Sequence, residues 1–441
     1  MRFIIKNIGT ISQATIELNN LTIISGENNS GKTTISKIIY AIGQASSSFP
    51  IDYKRHQYNE FRRLYDELAI NIHRLVRSSE KLSADSNVDE LMSTLMDIRR
   101  SSEVTEFDFS ITTKLIEKIT HNLNEEEAKS SWMRRTQTIL NRLEIFYNDY
   151  NYNDPIDKFI YRALKNEFSD EILNKKNNAE EAYLALYEEN ILIFEITFND
   201  KKIINFNAEY NKLPIKDSTL IEGPYIFQLA SIIHDMTFRD SINRRNSRIN
   251  PKIPYHILDL CSKLDGSKNI NDSECSLESV WNLDKFYDGN IEFKRETNSF
   301  QLTQGNLNYN TNNVSSGMKS IAILDILCRG YFINNDSILI VDEPETNLHP
   351  KWQKLYAKAL IELANNGTHI LVNTHSPYML EALKIYSDLS SENLGSKFYF
   401  SRKIEDQITF DDTEGNILPI IDALSAPLYS LMTELEDVDN F

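Results

Sequence analysis

The sequence predicts an α/β fold in which both ends of the chain form one body and a long helical segment is inserted between them. Two short apolar runs, SILIV (337–341) and HILVN (369–373), flank a helix-like segment, which is the β-α-β alternation of a parallel sheet. A third apolar run, at 21–25, is also typical of a buried strand. Between Gly43 and Gly223 no glycine occurs, and apolar residues recur there at helical spacing.

The composition is that of a folded protein. The 441 residues are 41% hydrophobic and 25% charged. The net charge of −17 argues against non-specific binding along nucleic acid. A local basic groove is compatible with this overall charge. Three cysteines, Cys261, Cys275 and Cys328, lack metal-site spacing, and an odd number suits a reducing compartment. Neither a signal-peptide pattern nor an apolar run near the roughly 20 residues of a membrane span is found, so we expect a cytoplasmic protein.

The N-terminal part of the predicted fold is residues 1–45, and the helical insertion is residues 46–188. The elements predicted in the first part are the strands Arg2–Ile8, Ala14–Leu18 and Leu21–Ser25 and a helix over about 32–42. In the insertion each helical stripe ends after about two heptads, whereas an extended coiled coil needs at least about three or four. We therefore expect a short helical subdomain rather than a long arm.

The C-terminal part, residues 189–441, returns to strand-like alternation. The segment ILIFEITFNDKKIINFNAEY predicts a hairpin with Asn199 and Asp200 at its turn. Further elements expected are helices within 222–264, strands near 290–303, a helix after Asn313, the two strands of the parallel sheet, strands at 397–401 and 408–412, and a terminal helix.

The strongest motif is GENNSGKTT, which matches G-x-x-x-x-G-K-[ST] between a predicted strand and a predicted helix. Gly26 and Gly31 let this loop, the P-loop, wrap closely around phosphate, and N–H groups at the helix N-terminus supply positive potential. Lys32 can reach the terminal phosphates of ATP, and the Thr33 hydroxyl can bind Mg²⁺. The residues predicted to bind the phosphates are Gly26, Asn28, Asn29, Ser30, Gly31, Lys32, Thr33 and Thr34.

Acidic residues follow the strand SILIV. In ILIVDEPETNLHP, Asp342 ends the strand and is predicted to hold Mg²⁺ at the carboxyl edge of the sheet, where nucleotides bind in α/β folds. Glu343 is then placed to activate the attacking water. After the next strand, NTHSP puts His375 within reach of the γ-phosphate. The alternatives are a solvated acidic turn and a structural histidine.

The segment NVSSGMKSIAILDIL, residues 313–327, allows two interpretations. In the first, Ser315 or Ser316 caps a helix by accepting from its free N–H groups, and the apolar residues that follow form the helix stripe. In the second, the Ser-Ser-Gly sequence is half of an active site whose other half belongs to a second copy of the chain.

The order of P-loop, SSGMK, strand-DEP and strand-THS resembles the ABC-type ATPases of the RecF, SMC and OLD group. The sequences SSGMKS and DEPETNLHPKWQ are most similar to those of the OLD-like ATPases of bacterial anti-phage systems, such as the ATPase subunits of Septu and PARIS. The resemblance covers about residues 1–45 and 190–430 and does not cover the helical insertion. It implies a P-loop ABC-type ATPase head with a large inserted helical subdomain.

The resemblance also implies roles for single residues. Glu343 is the catalytic glutamate, His375 is the switch histidine, and 345–350 is the loop that borders the dimer interface. The residues implied for the signature motif that completes an ATP site are Ser315, Ser316, Gly317 and Lys319. ATP and Mg²⁺ are the cofactors implied, and hydrolysis takes place at a site shared between two subunits.

Two departures from the family pattern affect what the resemblance implies. The Q-loop glutamine of the family has no clear counterpart, and Glu222 and Gln228 are the candidates. OLD nucleases continue into a nuclease domain, whereas only some 65 residues follow His375; we therefore expect any nuclease to be a separate protein.

For the biological role, the resemblance favours an ATPase that controls a separate effector, such as a nuclease or toxin, in anti-phage defence. The alternative is a DNA repair or chromosome-maintenance ATPase that acts on DNA. The large insertion and the sequence SSGMK argue against a transporter subunit. A basic cluster containing Arg239, Arg244, Arg245 and Arg248 could grip DNA or an acidic partner, and a solvated loop is an equally good interpretation.

Overall fold

The computed structural model describes residues 1–77, 82, 85–100, 106–121, 130–149, 155–209, 213–230, 232–233, 253–266, 289–297, 299–390, 394–404 and 407–439. The chain separates into two compact units. The first unit combines Met1–Ser47 with Ile156–Phe441, and the second is Ser48–Pro155. Both ends of the chain therefore contribute to one body.

The elements are numbered in chain order. The strands are β1 (Arg2–Ile8), β2 (Ile11–Glu17), β3 (Leu21–Gly26), β4 (Ala182–Glu188), β5 (Ile191–Phe198), β6 (Ile203–Ala208), β7 (Asp217–Ile221), β8 (Asn290–Lys294), β9 (Ser299–Gln304), β10 (Leu307–Asn310), β11 (Ser337–Asp342), β12 (His369–Thr374), β13 (Lys397–Ile404) and β14 (Gln407–Asp412). The helices are α1 (Lys32–Ala45), α2 (Phe49–Arg77), α3 (Ser86–Arg100), α4 (Glu106–His121), α5 (Ser131–Asp149), α6 (Ile156–Glu167), α7 (Tyr255–Leu264), α8 (Ser316–Arg329), α9 (Pro350–Asn365), α10 (Pro377–Asp388) and α11 (Leu418–Asp439).

The main sheet of the first unit has six strands in the order β14-β13-β3-β12-β11-β7. All neighbours in it are parallel except the antiparallel pair β13 and β14. Strands β3 and β11 are buried along their whole length, as expected for apolar runs covered on both faces. The register brings four strand ends together, because Ser25 pairs with Thr374, Asp342 with Asn373, and Ile221 with Val341. The site described below lies at this carboxyl edge.

A second sheet is antiparallel and has the order β2-β1-β4-β5-β6. Its last hairpin turns at Asn199 and Asp200, as the sequence predicts: the Asn199 N–H donates to the Lys202 carbonyl at 2.9 Å. The Asn199 side chain also accepts from the N–H groups of Lys201 and Lys202. A third, three-stranded sheet has the order β10-β9-β8 and leads through a short 3-10 turn into α8.

The second unit is built by helices α2 to α5 around its own apolar core. Apolar residues that recur at helical spacing contribute to this core; they include Phe61, Tyr65, Leu68, Leu91, Leu95 and Leu115. The unit ends at Pro155, whereas the predicted insertion extends to residue 188. The difference arises because 156–188 contains no glycine to mark a boundary, although β4 pairs with β1 and α6 packs on α1 within the first unit.

Other elements differ from their predicted bounds at the ends. Helix α1 continues to Ala45, and β2 begins at Ile11 because a tight turn at Gly9 and Thr10 joins it to β1. Within 222–264, the described helical residues are 226–230, 232–233 and α7, and the rest of that range lies outside the described residues. Among the helices that the structure describes, none has the length and apolarity that crossing a membrane requires.

Candidate active site

The P-loop connects the end of β3 to the start of α1. Lys32, the first residue of α1, turns back over the loop, and its Nζ donates to the Gly26 carbonyl at 2.9 Å and the Glu27 carbonyl at 2.7 Å. Burial lowers the pKa of Lys32, and the nearby carboxylates of Asp342 and Glu343 partly offset this effect. The ammonium group therefore lies inside the loop, in a position that phosphate oxygens can share.

Backbone geometry explains the two glycines of the motif. Gly31 precedes α1 with a φ of 84°, a left-handed conformation that side chains disfavour. At Gly26 a Cβ atom would lie 2.0 Å from the carbonyl oxygen of Ser401 on β13. The hydroxyl of Ser401 donates to the Ser30 carbonyl, so β13 supports the loop from the side opposite β12. This support comes from the C-terminal part of the chain and was not predicted.

The remaining residues of the motif take different positions. Asn28 and Asn29 are exposed, and Asn29 has a φ of 62°. The Ser30 hydroxyl donates to the Glu27 carbonyl at 2.7 Å, which closes the loop on itself. The Thr34 hydroxyl lies 3.2 Å from the Thr10 hydroxyl in the β1–β2 turn. Thr34 therefore contacts the second sheet.

Thr33 and Asp342 form the predicted metal pair. Asp342 is buried, with its Oδ1 accepting from Asn373 Nδ2 at 2.8 Å, and Asn373 also donates to Ser36 on α1 at 2.7 Å. Burial raises the pKa of Asp342, hydrogen bonds from Thr33 and Asn373 oppose this shift, and the neighbouring charges of Glu222 and Glu343 add to it. A cation would offset these unfavourable contributions.

The oxygen ligands at this position fit Mg²⁺. A hydroxyl and a carboxylate are the groups that bind it beside nucleotide phosphates, with water and phosphate oxygens as the remaining ligands. In the part of the chain that the structure describes, no group of three or more His, Cys, Asp or Glu side chains is arranged to hold a metal alone. Thr33 and Asp342 can therefore hold Mg²⁺ only together with phosphate and water.

Glu343 and His375 lie next to each other at the ends of β11 and β12. Glu343 has a φ of 51°, and its N–H donates to the Asn373 carbonyl at 2.9 Å. Its side chain is 40% exposed, and its Oε1 lies 3.6 Å from His375 Nδ1. A left-handed glutamate costs roughly 1 kcal/mol or more, and such strain is often found at functional sites. The structure thus brings together the two residues predicted to be catalytic.

Glu345 is a site residue to which the sequence assigned no catalytic role, because only its loop was assigned to the dimer interface. It is buried, and its Oε1 accepts from the Thr374 hydroxyl at 2.8 Å and from the N–H groups of His375 and Ser376 at 2.7 and 3.0 Å. The same oxygen lies 3.2 Å from His375 Nδ1. In the sequence, Glu345 is visible only as the third acidic residue of DEPE. That position alone does not predict that its side chain holds the loop with His375.

The Ser-Ser-Gly segment begins α8. Ser315 is the N-cap residue and accepts from the Met318 N–H at 3.5 Å, so the helix-cap interpretation describes its local structure. Ser316 donates to the Asn347 carbonyl at 2.6 Å, and a Cβ at Gly317 would lie 2.4 Å from Trp352. Burial lowers the pKa of Lys319. Among these described contacts none joins Ser315, Ser316 or Gly317 to the P-loop of the same chain.

The two Q-loop candidates lie in different environments. Glu222 follows β7 directly, and the register of Ile221 with Val341 places it beside Asp342. Gln228 is exposed on a helical segment. Burial raises the pKa of Glu222, but the neighbouring His256 ring, Lys37 and the Tyr225 hydroxyl together lower it below its usual value. Of the two candidates, Glu222 is therefore the one that lies at the carboxyl edge of the main sheet.

The basic cluster predicted as a candidate contact to DNA or to an acidic partner lies outside the described residues; it contains Arg239, Arg244, Arg245 and Arg248.

The fold and this site define the class of the protein, which is a P-loop ATPase of mixed α/β type. Residues 1–380 match the family model described as AAA ATPase domain. The chain belongs to this AAA ATPase domain family.

Solved structures add distant likenesses. The SMC head domain from Thermotoga maritima is 11% identical, with 93% of this chain and 98% of that chain covered and a TM-score of 0.38. An SmcHead bound to the C-winged helix domain of ScpA is 10% identical, with 93% and 96% covered and a TM-score of 0.40. No curated protein matches this chain.

Proposed function

We propose that the protein hydrolyses ATP with Mg²⁺ and that the residues at the carboxyl edge of the main sheet are its catalytic centre. The observation that carries the proposal is the meeting of three motifs there: the P-loop with Lys32 and Thr33, the end of β11 with Asp342 and Glu343, and the end of β12 with His375. Each motif comes from a different part of the chain, and their convergence matches the needs of phosphoryl transfer.

The geometry supports a chemical role for each of these residues. Lys32 and the N–H groups of the P-loop bind the phosphates. Thr33 and Asp342 would hold Mg²⁺, which would supply neutralisation of charge on the phosphate oxygens. Glu343, which is partly exposed, orients the attacking water and accepts its proton. His375 contacts the γ-phosphate, and Glu345 holds the loop that carries it.

Replacement of Glu343 by Gln tests this assignment. The amide keeps the size of the side chain and cannot act as a base, so we expect turnover to fall roughly 10²- to 10⁴-fold while ATP still binds. ATPase rate and ATP affinity are measured on the same preparation. Near-normal hydrolysis by Glu343→Gln would move the catalytic base to another residue.

We propose further that each ATP site is completed by a second copy of the chain. The N-terminus of α8 presents Ser315 to solvent, and the described side-chain contact of Ser315 is to Met318 in the first turn of the same helix. Helix N-termini bind anions, so this end of α8 can contact the γ-phosphate bound by a partner. ATP held in this way favours the closed dimer, and hydrolysis releases it.

For the biological role, we propose a sensor or scaffold that controls a separate effector, such as a nuclease or toxin, in anti-phage defence. The proposal is supported by the sequences SSGMKS and DEPETNLHPKWQ, which resemble those of OLD-like ATPases of anti-phage systems. A chromosome-maintenance or DNA repair ATPase is the second candidate. Purification together with the product of the neighbouring gene tests both: a co-eluting nuclease or toxin supports the first, and retention on DNA without such a partner supports the second.

A further inference from the structure

Helix α7 carries buried ionisable side chains that none of the sequence motifs contains. His256, Asp259 and Lys263 are all buried. Lys263 Nζ lies 3.1 Å from Asp259 and 2.7 Å from Asp217 on β7. Asp259 also accepts from the Tyr40 hydroxyl on α1 at 3.1 Å. These contacts fix α7 against the P-loop helix and the edge strand of the main sheet.

His256 lies between two carboxylates. Its Nδ1 is 2.6 Å from Glu167 Oε2, and its Nε2 is 3.2 Å from Glu222 Oε2. The side chains of His256 and Glu167 are 3% and 1% exposed, whereas that of Glu222 is 24% exposed. The contact with Glu167 is a hydrogen bond; the contact with Glu222 is an ion-pair distance without hydrogen-bond alignment. A ring with both nitrogens protonated supplies a positive partner to each carboxylate.

Glu167 makes two hydrogen bonds with His256. Besides the ring contact, its Oε1 accepts from the His256 N–H at 3.0 Å. The preceding residue, Asn166, accepts from the Tyr255 N–H at 2.6 Å. Pro254, the N-cap residue of α7, offers no side-chain acceptor. The C-terminus of α6 therefore caps α7, and the orientation of the His256 ring is fixed from the side away from the catalytic site.

Glu222 connects this arrangement to the catalytic centre. It follows β7 directly, and the parallel register places it beside Asp342. In keeping with this register, the charge of Glu222 contributes to the raised pKa of Asp342. The Tyr225 hydroxyl donates to the same Glu222 oxygen that faces His256, at 3.1 Å. The position of the Glu222 carboxylate thus depends on His256 and Tyr225.

We propose that His256 is a positioning residue for ATP hydrolysis: Glu167 fixes its ring, and the ring fixes the Glu222 carboxylate beside Asp342. This inference rests on the ATPase function proposed above. Apolar residues would pack α7 against α6 at least as stably, because desolvating a buried charged cluster commonly costs as much as its pairing returns. A requirement at the catalytic edge accounts for a cluster that stability alone does not require.

Two substitutions separate the two contacts of the ring. In His256→Asn the amide nitrogen takes the approximate place of Nδ1, which keeps the Glu167 contact and removes the Glu222 contact. In His256→Gln the amide nitrogen takes the approximate place of Nε2, which has the opposite effect. Asn166→Ala is the control, because it removes a cap of α7 and leaves both ring contacts in place. For each variant kcat, KM for ATP and the urea midpoint of unfolding are measured.

We expect His256→Asn to lower kcat about tenfold, the effect of losing one charge-assisted contact, and to change KM less than about threefold. His256→Gln should keep a higher kcat than His256→Asn although it loses more stability. Asn166→Ala should lower the midpoint and leave kcat within about twofold of the wild type. Glu222→Ala leaves Glu167 and His256 paired and should lower kcat at least as much as His256→Asn. It replaces His256→Asn as the test if that variant does not fold.

The outcomes separate this inference from the proposal on which it rests. Wild-type protein that does not hydrolyse ATP would overturn the ATPase function and with it the role of His256. If the wild type is active, equal kcat losses in His256→Asn and His256→Gln, or losses that follow stability across all variants, would show that His256 is only structural. A normal kcat in Glu222→Ala would overturn the inference as well.

Discussion

Glu345 offers a quantitative test of how the loop with His375 is held. Its single oxygen Oε1 accepts three hydrogen bonds from Thr374, His375 and Ser376. Hydrogen bonds to a charged group are worth about 1.5–3 kcal/mol each, and buried donors left without a partner are costly. Because contacts to one atom are not additive, we expect Glu345→Ala to lower the free energy of unfolding by about 3–5 kcal/mol.

The isosteric variant Glu345→Gln keeps an oxygen for the three donors and loses the charge. Neutral hydrogen bonds are about half as strong, so we expect a stability loss smaller than that of Glu345→Ala and a clear fall in kcat, because His375 is less firmly placed. Urea unfolding and ATPase assays provide the two quantities. Glu381→Gln, an exposed substitution on α10, is the control. Wild-type stability and kcat in Glu345→Ala would refute the positioning role of Glu345.

Three further predictions concern other parts of the molecule. Gly317→Ala should lose about 1–3 kcal/mol of stability, because its Cβ would clash with Trp352; an unchanged urea midpoint would contradict this. Although burial by itself lowers the pKa of His256, Glu167 and Glu222 raise it to about 9, above that of an exposed histidine. Its stabilising contribution, on the order of 3 kcal/mol, is therefore complete below about pH 6.5 and is lost as pH rises through 9. Urea midpoints should fall between pH 7 and 9 in the wild type and less in His256→Gln. The purified protein should not cut DNA with Mg²⁺, and cleavage abolished by a substitution in 397–439 would contradict this.

Sequence patterns predicted well the local elements that carry the motifs, namely the ends of strands and the starts of helices. The P-loop, the strand-end Asp342 and the cap at Ser315 each depend on a few consecutive residues, because a strand end or a helix start is defined by its neighbours in the chain. Their meeting at one edge also follows from the β-α-β pattern, since parallel strands end on the same side.

The residues that the sequence did not reveal depend on contacts between distant segments. Ser401 supports Ser30 across 371 positions, and His256 meets Glu167 across 89. Neither belongs to a motif, and nothing in a single sequence records which strand or helix will lie beside another. The end of the helical unit was misplaced for the same reason, because the pairing of β4 with β1 is a long-range contact.

In the proposed function, two copies of the chain share each ATP site, and two inactive variants test this directly. Ser316→Arg and Lys32→Ala should each abolish hydrolysis and leave a folded protein, the first by blocking the γ-phosphate from across the interface and the second by removing the phosphate contact. In a two-fold dimer of one mutant with the other, one site carries both substitutions and the other carries neither. With random pairing about half of the dimers are mixed, so roughly a quarter of all sites are intact.

The most direct measurement is the ATPase rate after the two inactive variants are mixed and allowed to exchange subunits. A shared site predicts that activity rises from near zero toward about a quarter of the wild-type rate, less if both sites must act together, and that cross-linking each variant before mixing prevents the rise. Demonstrated subunit exchange without any recovery of activity, or normal hydrolysis by Ser316→Arg alone, would contradict the shared site.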